Sequence, residues 1–191
     1  MGSPKRQRKR YETPRYHWRR DLIEADLKLI GTYGLRNKHE LWRHYYELSK
    51  YRTSARLLLA KTPEERIVPE KELLTKLYKL GLIAEKATID DILDLSIEDL
   101  LERRLQTQVM RLGLAKTPQQ ARQLIIHGHI FLSGRKITAP SYMVLRGEEN
   151  KIKYTPTSPL ATPQHPVRKA IELPAQAPTP KTEKEQPIEA E

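Results

Sequence analysis

SIEDLLERRLQTQVMRLGLAKTPQQARQLIIHGHIFLSGRKITAPSYMVLR, residues 96–146, is the stretch on which the fold turns. Ser96-Ile97-Glu98-Asp99 has the form of a helix start, a hydroxyl residue followed three places on by a carboxylate. Leu100, Leu101, Leu105, Val109 and Leu112 then recur on one face, so the spacing predicts a single helix from Ser96 to Leu112, stopped by Gly113. Thr117-Pro118-Gln119-Gln120 opens a second helix, with proline at its first position, running to about His127 and stopped by Gly128. His129–Leu132 and Lys136–Thr138 read as strands around a Ser133-Gly134 turn, and Tyr142–Leu145 and Lys151–Tyr154 as further short strands. The result is an α+β, mostly helical chain in which two helices pack at an angle and feed a small antiparallel sheet.

The charge of this stretch points to a partner. From Arg103 to Arg146 the cations are Arg103, Arg104, Arg111, Lys116, Arg122, Arg135, Lys136 and Arg146, with no Asp or Glu between them. Protein surfaces ordinarily mix signs, so a one-signed segment inside a folded region implies a polyanion. The whole chain agrees: 191 residues, 35 Lys and Arg against 24 Asp and Glu, net charge +11. A helix N-terminus offers free N–H groups and partial positive charge to a phosphate. With Arg122 one turn inside the second helix and Arg103 and Arg104 on the first, the expectation is a phosphate-gripping ridge. Gly128 and Gly134 allow tight turns beside it.

Working outward toward the N-terminus, residues 1–20 form a basic arm: Lys5, Arg6, Arg8, Lys9, Arg10, Arg15, Arg19 and Arg20 face one acid, Glu12. Such a segment is expected to stay disordered until it meets its partner. Tyr11, Tyr16 and Trp18 suit stacking on RNA bases. A first helix is predicted from Trp18 to about Ile30, ended by Gly31 and Gly34. Asn37 caps a longer one with Leu41, Tyr45, Leu48, Ala55 and Leu59 on its apolar side. Its other side carries Lys38, Arg43, Lys50, Arg52 and Arg56, a face that is either solvated or pressed on phosphate, with the neighbouring arm favouring phosphate. Thr62-Pro63-Glu64-Glu65 is another helix start, followed by a helix from about Pro69 to Leu80 and a short turn from Ile89 to Leu93.

Toward the C-terminus, eight of the chain's 14 prolines fall after Thr155, with acids and bases nearly balanced. This reads as an extended, largely disordered extension. The chain has no cysteine and six scattered histidines, which excludes thiolate metal and redox sites. No metal or cofactor is expected. There is no run of 18 apolar residues and no secretory signal, so the expected location is cytoplasmic, with no membrane partner. No phosphate-binding glycine loop and no nucleophile motif is present, so no enzyme is expected. An RNA-modifying enzyme and a free ribosome-associated stress factor are the alternatives to an RNA-binding structural protein.

Three segments carry a resemblance. Glu102-Arg-Arg-Leu-Gln-Thr-Gln108, Gln120-Ala-Arg-Gln-Leu-Ile-Ile-His-Gly-His-Ile130 and Pro140-Ser-Tyr-Met-Val144 resemble the RNA-binding "S-four" domain. Pro4-Lys-Arg-Gln-Arg-Lys-Arg-Tyr-Glu-Thr-Pro14, Leu27-Lys-Leu-Ile-Gly-Thr-Tyr-Gly-Leu-Arg-Asn-Lys38, Leu80-Gly-Leu-Ile83 and Ile97-Glu-Asp-Leu-Leu-Glu102 extend the resemblance over about residues 1–155, to the small-subunit ribosomal proteins of that family, archaeal type. The resemblance implies a basic arm (1–17), a helical domain (18–101), an inserted S-four domain (102–154) and the extension (155–191). It implies direct binding to the 5′ domain of small-subunit ribosomal RNA, a nucleating role in subunit assembly, and a bearing on decoding accuracy. The implied place is near the messenger entry channel and beside the ribosomal protein of the fifth family, with no homo-oligomer. The residues expected to touch RNA are the eight arm cations, Arg52, Arg56, Arg103, Arg104, Gln106, Thr107, Arg111, Lys116, Thr117, Gln120, Arg122, Gln123, His127, His129, Ser133, Arg135, Lys136, Ser141 and Tyr142.

Overall fold

Seven helices and three short strands make up the computed structural model, which describes residues 9, 11–162, 164–166 and 168. Lys5, Arg6, Arg8 and Arg10, and the extension from 169 onward, lie outside the described residues. The helices are α1 (Arg20–Tyr33), α2 (Lys38–Leu59), α3 (Pro63–Lys79), α4 (Ile89–Asp94), α5 (Ile97–Glu102), α6 (Leu105–Arg111) and α7 (Pro118–Ile126). Strands β1 (Ile130–Leu132), β2 (Arg135–Lys136) and β3 (Ile152–Tyr154) form an antiparallel sheet in the order β2-β1-β3, with Phe131 opposite both Lys136 and Lys153.

Helix starts follow the sequence because capping is a contact across three residues. Asn37 Oδ1 accepts from the Glu40 N–H at 3.0 Å and Thr117 Oγ1 from the Gln120 N–H at 3.2 Å, while Thr88/Asp91 and Ser96/Asp99 form reciprocal capping boxes. Two boundaries differ from expectation. Helix α1 runs through Gly31 to Tyr33 and ends at Gly34, whose left-handed backbone (φ 60°) turns its N–H back to the Ile30 carbonyl. Helix α3 begins at Pro63, with Pro69 inside it. Pro69 deprives only one carbonyl of its partner, and the flanking Ile67 and Val68 are exposed, so water can serve that carbonyl.

The largest departure is at Arg103-Arg104. The predicted helix from Ser96 to Leu112 is two helices, broken where Arg104 takes an extended conformation (φ −69°, ψ 140°) and bridges to Met143. The break is stabilised from outside the helix. The Leu105 N–H donates to the Tyr142 carbonyl at 2.8 Å, and the Val144 N–H to the Arg103 carbonyl at 2.9 Å. Two carbonyls freed at the end of α5 are taken by side chains: Thr107 Oγ1 donates to Leu101 at 2.7 Å and Gln108 Nε2 to Glu102 at 2.8 Å. Tyr142–Leu145 is accordingly a single bridge and not a strand.

Burial divides into three clusters. Leu48, Ala55, Leu58, Leu77, Ile83, Ile89, Ile92, Leu95 and Leu100 pack α2 on α3, α4 and α5. Leu105, Val109, Ala121, Ile125, Ile130, Leu132, Val144 and Ile152 pack α6 and α7 on the sheet. Tyr33, Leu35, Leu41 and Leu101 lie at the junction. Within α2 the inward stripe is Leu41, His44, Leu48, Ala55 and Leu58, whereas Tyr45 and Leu59 are exposed.

The folded region also runs past residue 154. The Thr155 N–H donates to the His129 carbonyl at 2.8 Å, Ser158 Oγ meets His129 Nδ1 at 2.8 Å, and Leu160 is 6% exposed within the cluster of the sheet. Residues 155–162 are thus a strap over β1, where the proline content alone suggested disorder. Leu160→Ala is expected to lower stability by roughly 2–3 kcal/mol, the cost of a large-to-small change in a packed site. A urea midpoint equal to the parent's would show that the strap does not pack in solution.

Candidate nucleic-acid interface

The cations of the acid-free stretch separate into two groups. One group is spent inside the protein, at the joint between α6–α7 and the helical domain. Arg104 is 1% exposed; its Nη2 donates to Glu40 Oε2 at 3.2 Å and its Nη1 to His44 Nε2 at 2.6 Å. Accepting there puts the proton of a neutral His44 on Nδ1, 3.4 Å from Glu47 Oε2. Arg122 clamps the same Glu40 with both ends of its guanidinium, at 2.7 and 3.1 Å. Burial alone would raise the Glu40 carboxyl, but Arg122 and Arg104 outweigh it and hold it below the usual carboxylate range. Glu47 is likewise lowered, chiefly by His44. Burial lowers Arg104, and Glu40 offsets part of that.

Three further contacts complete the joint. Gln106, fully buried, donates through Nε2 to the carbonyls of Gly34 (2.8 Å), Pro118 (3.0 Å) and Tyr33 (3.3 Å). Arg103 lies across Gly81, so close that a Cβ there would stand 2.7 Å from its Cζ, and it bonds Glu149 and the Val144 carbonyl. Arg146 stacks over Tyr78 at 4.3 Å and donates to the carbonyl of Ile83 at 3.3 Å. Beside the joint, Tyr33 donates to Glu102, and burial together with that carboxylate pushes its hydroxyl up to about 12.

Arg103, Arg104 and Arg122, expected to form a phosphate ridge, are engaged within the protein, where their guanidiniums bridge its two halves. Gln106 and Thr107 are buried for the same reason. The acids that claim these arginines lie far off in sequence, Glu40 being 64 residues from Arg104 and 82 from Arg122. Sequence reasoning missed Glu40 and His44 altogether. A weak signal existed, since Glu40 is the one acid among Arg36, Lys38 and Arg43 at the start of α2.

The second group faces solvent. Lys116, Gln123, His127, Ser133, Arg135, Lys136 and Ser141 are exposed. Thr117 caps α7, and Gln120 Oε1 accepts from the Lys116 N–H at 2.8 Å. Arg111 is exposed but paired with Glu102 at 2.6 Å, His129 is held by Ser158, and Tyr142 donates to Glu148 at 3.2 Å. On α2, Arg52 is turned to the Leu95 carbonyl at 2.6 Å and Arg56 to Thr53 at 3.2 Å. In the arm, Lys9 sits over the Tyr11 ring at 4.6 Å and Arg15 over Tyr16 at 5.5 Å, while Arg19 pairs with Asp21 and Arg20 with Glu24. Tyr11 itself packs edge-on against His39 at 4.8 Å, within a cluster that includes Trp42.

The S4 domain family matches residues 103–150, the span that starts at the break before α6. Small ribosomal subunit protein uS4 of Sulfurisphaera tokodaii is 53% identical over 167 residues, 87% of this chain and 93% of that protein. The uS4 proteins of Metallosphaera sedula (55%, covering 83% and 89%) and Nanoarchaeum equitans (50%, covering 86% and 92%) are as similar. The chain belongs to the uS4 family. It is of the archaeal type, as the sequence of the arm and of the Gly134-Arg135-Lys136 loop suggested. A uS4 protein is a structural component of the small ribosomal subunit and not an enzyme. In this uS4 chain the S4 domain is held to the helical part by Glu40 and His44 of α2 and by the backbone around Gly34, Gly81 and Ile83. Among the described residues no helix is long and apolar enough to cross a membrane, and no group of three potential metal ligands is present.

Proposed function

We propose that this chain is a primary binder of the 5′ domain of small-subunit ribosomal RNA, helping to nucleate subunit assembly in the cytoplasm and contributing to accuracy near the messenger entry channel. The observation that carries the RNA-binding part is the cation balance left after the joint is built. Lys116, Arg135 and Lys136 remain exposed on the S4 domain, joined by Gln123, His127 and Ser133, with no acid between Arg103 and Arg146 to neutralise them. Phosphate neutralisation by such residues drives binding through counterion release, and A-form RNA is read mainly by shape, phosphate and 2′-hydroxyl contacts. The arm supplies further cations and aromatic rings. A protein neighbour, for which we favour the fifth-family protein, is supported by the exposed apolar side chains of Leu57 on α2 and of Ile67 and Val68 on α3.

The test is a titration of the full chain against a 5′-domain RNA fragment across a salt series, with a generic RNA of equal length as competitor. The expected result is preference for the fragment and a steep negative slope of log affinity against log salt. Equal affinity for the two RNAs would overturn the reading as a primary ribosomal RNA binder.

A further inference from the structure

We propose that the cleft between α2 and the Pro140–Met143 segment is a seat for an RNA sugar–phosphate strand, gripped by Arg43 and Lys50. This rests on the reading of the chain as a ribosomal RNA binder and adds to it a site that lies partly outside the S4 domain.

The cleft consists of two adjoining hollows of about 320 and about 310 Å³ that share Arg43, His44 and Ser141. His39, Arg43, Tyr46 and Lys50 follow one another at spacings of four, three and four, which places them on one stripe of a helix. Arg43 and Lys50 are exposed and make no ion pair within the described residues. Seven residues separate them, about 10 Å along the helix axis, so the charges suit an extended polyanion better than a single small anion.

The two acids on the walls do not cancel these cations. Glu40 is occupied by both Arg104 and Arg122, and Glu47 faces His44, so four Lys or Arg side chains outnumber two carboxylates around the cleft. One polar atom of its lining is buried and unsatisfied: Arg104 Nε, on a residue 1% exposed. Buried polar atoms ordinarily have partners, and this one edges a polar cleft that an acceptor-rich ligand would fill. One end of the cleft, lined by Asn37 and His39, lies at the N-terminal end of the 22-residue α2, where the helix dipole favours an anion. Tyr11, packed on His39, brings Lys9 to the same end. The half-exposed ring of Tyr46 offers a stacking face to a base.

The experiment uses the full chain in two parts. The double variant Arg43→Gln/Lys50→Gln is compared with the charge-matched Lys71→Gln/Lys76→Gln on the outer face of α3, across the salt series and on both RNAs. The cleft variant is expected to flatten the salt slope by roughly 1.5 units, two phosphate contacts' worth, and the α3 variant to leave it unchanged. Equal slopes for the two variants would overturn the cleft, even if the parent still prefers the 5′-domain fragment. Loss of preference by the parent itself would instead count against the ribosomal RNA reading, while the slope difference would still judge the cleft. The second part uses the absence of cysteine: Ser141→Cys gives a single attachment point for an iron–EDTA probe on an otherwise parental protein. Local strand cleavage of the bound fragment is expected, and an uncut fragment in a complex that still forms would overturn the proposal.

Discussion

Glu40→Gln is expected to destabilise the protein by about 3–5 kcal/mol, because it removes one partner of a buried ion cluster and leaves the other charge in place. Arg104 cannot retreat to water, being 1% exposed, and His44 offers it only a neutral nitrogen. Arg122 exchanges its two carboxylate contacts for at most one, to a neutral amide oxygen, and its other arm faces an amide NH2 that cannot accept. The pH dependence has a definite sign. The folded protein holds the Glu40 carboxyl below its ordinary value despite its burial, so the unfolded chain takes up a proton more readily at this site. The stabilisation is complete above the ordinary carboxylate range and fades as pH falls through the depressed folded value. Urea unfolding at neutral pH and at a series of acidic pH values reads both effects. The parent should lose stability on acidification by more than the variant does. Parallel pH profiles, or an unchanged midpoint at neutral pH, would mean that the cluster is not what holds the S4 domain to α2.

Gly34→Ala should cost about 3–4 kcal/mol, for two separable reasons. A side chain at φ 60° is strained by roughly 1–2 kcal/mol. Beyond that, the new Cβ would stand 2.5 Å from Pro118 Cβ, 2.9 Å from Gln106 Nε2 and 3.2 Å from the Pro118 carbonyl carbon. Pro118 is the first residue of α7 and cannot swing aside, so the joint must open and strain the Gln106 bonds to three carbonyls. Gly113→Ala is the control. It too has a positive φ, of 70°, but its Cβ would meet open space, so it should show the strain alone. Equal losses in the two variants would remove the packing part of this account.

These two positions also mark where reading the sequence succeeds and where it stops. That α1 ends near Gly34 and α2 starts after Asn37 is legible, because both signals act on backbone groups within a few residues of themselves. The helix starts at Ser96 and Thr117 are legible for the same reason. So are the antiparallel sheet around Ser133-Gly134 and the uS4 family itself, whose segments lie in order along the chain. The acid-free run from Arg103 to Arg146 is equally plain, and its implication of a polyanionic partner stands with the family.

What the run could not reveal is which of its arginines are free. A guanidinium bonds whatever acceptor the fold brings to it, and Glu40 reaches Arg104 and Arg122 only after α2, α6 and α7 have packed. The same holds for the break at Arg104, made by Tyr142 and Val144 across the chain, for the phase of α2, set by His44 meeting Arg104, and for the strap at Leu160, ordered by the sheet it covers. Local spacing, capping and charge sign were determined by the sequence by itself. The division of cations between the joint and the exposed face was decided only by the tertiary structure, because ion pairing depends on distance in space and not along the chain.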